Sequence, residues 1–118
     1  MNKTNNYDIV KFIDGEFELE INVSPKEETV WLSLDEMSVL FERDSSVIGK
    51  HIRKIYQEKE LDENITRAKN ARNLEDGRTF QVDVYNLDVI IAVGYRVNSK
   101  RLQEFTIVQK MHIGNSTN

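Results

Sequence analysis

At Ser33 the spacing of apolar residues changes from two to three or four, so the chain has to combine strands with helices. Before that point Phe17, Leu19, Ile21 and Val23 alternate with Glu18, Glu20 and Asn22, which predicts a strand with one apolar and one acidic face. Tyr7 to Ile13 reads as a second strand. Asp14-Gly15 between them is hairpin chemistry, because Gly accepts the left-handed conformation that a tight turn needs. Ser24-Pro25-Lys26-Glu27-Glu28 breaks the pattern, and Thr29 to Leu32 resumes it as a short β-rich segment.

From Ser33 the sequence Ser-Leu-Asp-Glu is a capping box: Ser33 can accept from the Glu36 N–H while the Glu36 carboxylate reaches back to the N–H of Ser33. Leu34, Met37, Leu40 and Phe41 then form one stripe of a two-turn helix. The tetrad Glu42-Arg43-Asp44-Ser45 interrupts it, with Asp44 or Ser45 able to cap the next helix. This second helix, from Ser46 to about Gln57, places Ile48, Ile52, Ile55 and Tyr56 on one face and Ser46, Lys50, Arg53 and Gln57 on the other. Two short amphipathic helices around a tight turn, here at about 33 to 57, are the helix-turn-helix pattern, whose second helix can enter a DNA major groove.

Beyond it, Ile65 to Ala71 is a ragged strand candidate, Glu75-Asp76-Gly77 has turn chemistry, and Phe80, Val82 and Val84 alternate with polar neighbours. A wing from about 65 to 85 is expected beside the helix pair. Asn86 can cap a helix from Leu87 to about Gly94 with Leu87, Ile90, Ile91 and Tyr95 on a shared face, and Ser99 can cap a last one carrying Leu102, Phe105 and Val108. Trp31, Phe12, Phe17, Phe41, Phe80 and Tyr85 fall at buried periodicities and read as core. The expected architecture is a single α+β, winged helix-turn-helix-like domain over 7–111, with an N-terminal β-hairpin and two closing helices. Residues 1–6 and 112–118 read as flexible tails.

Charge narrows the function. Sixteen Lys and Arg stand against twenty Asp and Glu, which argues against indiscriminate coating of nucleic acid. The acidity is local: residues 1–30 hold three basic and seven acidic side chains, and residues 61–118 hold eight and seven. No cysteine is present, which excludes disulfides, thiolate nucleophiles and sulfur-ligated zinc. His51 lies beside the apolar face of its helix and reads as a packed residue, and neither it nor His112 sits in a catalytic or zinc-binding pattern. No enzyme activity, cofactor or metal is expected. Without an apolar run long enough to span a bilayer or lead an export signal, a cytoplasmic protein without membrane contact is expected.

The segments Tyr7-Asp8-Ile9-Val10, Thr29-Val30-Trp31-Leu32, Glu60-Leu61-Asp62-Glu63-Asn64 and, most specifically, Tyr85 through Arg101 resemble, in that order, the bacterial RhuM family. The likeness covers roughly residues 7 to 107. It implies a DNA-binding N-terminal module of a virulence-associated protein carried by mobile genetic elements. The chain departs from the family pattern at Glu42-Arg43, where Phe41 is usually followed by Gly-Val. It departs again at Ser45, where a basic residue is usual, and after Arg101.

These readings point to sequence-specific binding of duplex DNA, as a transcriptional regulator or a targeting module. The candidate contacts are Ser46, Gly49, Lys50 and Arg53 toward the groove, Ser45 beside a phosphate at the helix N-terminus, Lys54 on the flank, and Lys69, Arg72 and Arg78 along the wing. Gly49 could allow close backbone approach. Arg96, Lys100 and Arg101 form a second basic cluster that serves phosphate contact or helix-end solvation equally well. One short helix reads few base pairs, so a homodimer on neighbouring half-sites is the expected assembly. The alternative is a protein-interaction module without DNA binding, in which the acidic hairpin and the Leu87 to Tyr95 helix dock a protein partner.

Overall fold

The computed structural model of the chain describes residues 8–24, 26–73 and 75–106. The tails expected at 1–6 and 112–118, and Val108 of the last apolar stripe, lie outside the described residues. The alternating segments form β1 (Asp8–Asp14) and β2 (Phe17–Ser24), paired antiparallel without a bulge from Asp8↔Val23 to Asp14↔Phe17, and Gly15 turns between them at φ 65°. β3 (Thr29–Ser33) lies against β2 on one side. On the other it meets β5 (Thr79–Tyr85) through Leu32↔Tyr85 and Ser33↔Val84. β4 (Arg67–Asn73) pairs with β5 along its whole length. The N-terminal hairpin and the hairpin expected as a wing are therefore parts of one antiparallel five-stranded sheet, ordered β1-β2-β3-β5-β4.

Five helices accompany the sheet among the described residues: α1 (Leu34–Phe41), α2 (Ser45–Gln57), α3 (Glu63–Thr66), α4 (Leu87–Arg96) and α5 (102–106). The molecule is an α+β protein. α3 replaces the start of the strand expected at Ile65: Asp62 Oδ1 accepts from the Asn64 N–H at 2.9 Å, which caps a single helical turn and delays extension until Arg67.

The hairpin supplies Phe12 and Ile21 to a single apolar cluster, β3 supplies Leu32, and the helices add Met37, Leu40, Ile48, Ile55, Ile90, Val93 and Phe105. All five residues of β3 are buried. Phe105 of α5 meets the Phe12 ring edge-on at a centroid distance of 5.3 Å. Between β3 and α4, the buried Thr29 Oγ1 accepts the Leu87 N–H at 3.0 Å.

The face expected on α4 is left uncovered at Tyr95, and one aromatic expected in the core, Phe80, lies outside it. Tyr95 is exposed, because Gly94 takes the place against Leu102 and turns Tyr95 outward. Phe80 is also exposed: along β5 burial rises from Thr79 to Tyr85, so the Phe80 end of the hairpin reaches beyond the core.

Arg101 ties three parts together. Its guanidinium stacks on Phe17 with Cζ 3.8 Å from the ring centroid, donates to the Leu40 carbonyl at 2.8 Å, and pairs with Asp14 and Glu42.

Candidate nucleic-acid interface

The helix pair is built from its caps. Ser33 and Glu36 close the reciprocal capping box at 3.1 and 2.8 Å. α1 stops because Glu42 takes the left-handed conformation at φ 55° and returns its N–H to the Ser38 carbonyl. Arg43 next to it donates to the Val97 carbonyl at 2.7 Å and so fixes the turn to the end of α4. Glu42 and Arg43 are thus the residues that shape and anchor this turn.

Asp44 starts α2. Its Oδ1 accepts from both the N–H and the Oγ of Ser46 at 2.8 Å, and these bonds hold its carboxyl below the ordinary carboxylate range. The phosphate contact expected of Ser45 falls at this same helix N-terminus. The helix N-terminus where a phosphate was expected already holds a carboxylate, which takes the Ser46 N–H and repels a second anion. The Ser46 hydroxyl, although exposed, is engaged by the same carboxylate.

α2 buries Ile48, Ile52 and Ile55 and exposes Ser46, Val47, Lys50, Arg53, Lys54 and Gln57. Gly49, expected to allow close approach of the backbone to DNA, is buried against α1, where a Cβ would lie 3.2 Å from Leu34 Cδ1, so it lets the two helices approach each other. His51 is half-buried, with Nδ1 in the interior and without a hydrogen-bond partner among the described residues, which agrees with a packed residue.

The cations fall into two groups. Lys69 is 2.6 Å from Asp83, the residue opposite it in the β4–β5 register. Arg67, absent from the contacts expected along the wing, joins Asp83 at 2.6 Å and also pairs with Glu63. Hydrogen bonds from Lys69 and then Arg67 keep the Asp83 carboxyl below its usual range. Arg78 pairs with Asp76 at 2.7 Å, and Arg72 stands opposite Phe80 in the register.

Arg96 spans from α4 to Glu58 and Glu60 at 2.8 and 2.9 Å, and its hydrogen bond holds the Glu58 carboxyl low. Arg101 is engaged as described above. Of the second basic cluster, Lys100 alone is exposed and without an ion pair among the described residues. On α2, by contrast, neither Lys50, Arg53 nor Lys54 has a carboxylate of the described residues within ion-pair distance. The structure therefore gathers Lys50, Arg53 and Lys54 into one open cationic strip. It leaves Lys69 and Arg78 locally neutralised on the hairpin.

Among the described residues no group of three or more His, Asp or Glu side chains is placed to hold a metal ion. A groove of about 530 Å³ between α4 and α5 is lined by Ile91, Tyr95, Asn98, Leu102 and their neighbours, with no acidic or basic side chain among them. No described helix is long and apolar enough to cross a membrane. Comparison with protein-family models, with curated proteins and with solved structures finds no match for this chain.

Proposed function

We propose that this chain binds duplex DNA sequence-specifically, with α2 entering the major groove, as a winged helix-turn-helix protein. The element order supports it: a strand, a tight helix pair and then a hairpin whose second strand returns to pair with the first, as β3, α1, α2, β4 and β5 do. The observation that carries the reading is the open cationic strip of Lys50, Arg53 and Lys54, in a chain where six other cations are neutralised by carboxylates of their own surroundings. Side chains of this kind donate to guanine edges and to phosphates. The resemblance to the RhuM family supports the same reading and extends it to a regulator or targeting module of a mobile element.

Fluorescence anisotropy with duplex DNA over a salt series tests it. Binding should weaken with salt, with a slope of about 0.9 in log K against log salt for each phosphate contact. A Lys50→Ala, Arg53→Ala double variant should bind at least about tenfold more weakly. A folded parent chain that binds no duplex at low salt overturns the proposal. So does a double variant that binds like the parent.

A further inference from the structure

We propose that the open edge of β1 pairs with the same edge of a second copy of this chain, extending the sheet across a two-fold axis at Lys11. The two edges of the sheet are built differently. β4 carries Arg67, Lys69, Asn70, Arg72 and Asn73 and has no large apolar residue, the composition that deters edge pairing. β1 exposes Ile9 at 65% and Ile13 at 57%, contains no proline or bulge, and has no described strand on its free side. Exposed β-branched residues on an unbulged edge form a template for one more strand.

The occupant is set by the strand itself. Asp8-Ile9-Val10-Lys11-Phe12-Ile13-Asp14 has the same polarity read in either direction from Lys11. Antiparallel pairing about that residue sets Ile9 against Ile13 of the second copy and Val10 against Phe12. Each pair joins residues of the same sheet face, as an antiparallel ladder requires. One register thus covers the exposed Ile9 and Ile13 while keeping Val10 and Phe12 on the core face, and the contact is self-complementary, as a two-fold dimer needs.

The same register brings Lys11 to Lys11 and Asp8 to Asp14. Both repulsions are reduced, though not removed, within each chain: the exposed Lys11 Nζ lies 3.7 Å from Glu18, and Asp14 carries Arg101 at 3.3 Å. The pairing does not depend on the DNA-binding reading, but it would present two α2 helices at once.

Sedimentation equilibrium of the full chain over a concentration series tests the interface, with Ile9→Lys and Lys11→Thr alongside. Ile9 takes part in two symmetric pairs, so Ile9→Lys should raise the dimer dissociation constant roughly tenfold. Lys11→Thr removes the like-charge contact at the axis and should lower it several-fold. Both side chains are exposed, and thermal melting verifies that each variant is folded. Opposite shifts in the two variants establish pairing at β1. A monomer at every concentration in both the parent and Lys11→Thr overturns it, as does a dimer whose dissociation constant is unchanged by Ile9→Lys.

Discussion

Glu42 holds the turn between α1 and α2 in a conformation that costs an L-residue about 1–2 kcal/mol. Its ion pair with Arg101 offsets little of this, because the Glu42 side chain is mostly exposed and such pairs contribute at most about 1 kcal/mol. Glu42→Gly should therefore stabilise the protein by about 1 kcal/mol, even after the greater freedom of Gly in the unfolded chain is counted. Thermal denaturation should show the midpoint rising by about 4 °C. At this scale the caps were legible in the sequence, since Ser33, Glu36 and Asp44 act on residues two or three positions away. The pairing of Lys69 with Asp83 was also within reach, because a turn centred on Asp76 sets those two residues opposite each other. Arg96 and Arg101 were not. Their partners lie 36 to 87 residues away, and only the folded chain brings them together.

Among the elements, α4 and α5 pack through a glycine. A Cβ at Gly94 would stand 2.7 Å from Leu102 Cδ1 and 3.1 Å from its Cγ. Gly94→Ala should push α5 off and loosen the contact of Phe105 with Phe12, at a cost of about 1–3 kcal/mol in urea unfolding. Gly49→Ala makes the contrast: its one tight contact is a Leu34 methyl at 3.2 Å, and the gain in helix propensity of about 1 kcal/mol should bring it close to neutral. Periodicity found α1, α2 and β2 because each has one face buried along most of its length, and it found β5 from an alternation of which only the Val84–Tyr85 end is buried. It missed α3, a single capped turn too short to show a period. It misplaced Tyr95 and Phe80, because a repeat marks a face without saying how far the neighbouring element covers it.

Across the whole molecule, Arg101 joins the hairpin at Asp14 and Phe17, α1 at Leu40 and the turn at Glu42 from a position just before α5. Arg101→Ala should cost about 2–3 kcal/mol in urea unfolding, since it leaves the Leu40 carbonyl without its charged donor and uncovers Phe17. Arg101→Lys should recover only part of that loss, because an ammonium cannot reproduce the planar fork. The sheet has a comparable single joint. Each hairpin can zip up from its own turn, whereas β3 meets β5 through only Leu32↔Tyr85 and Ser33↔Val84, about fifty residues apart along the chain. Closing that long loop encloses both helices of the pair, so the arrival of β5 at β3 should be the slow step of folding, and α1, which already lies against β3, gains its contact with β5 only when that seam is sewn.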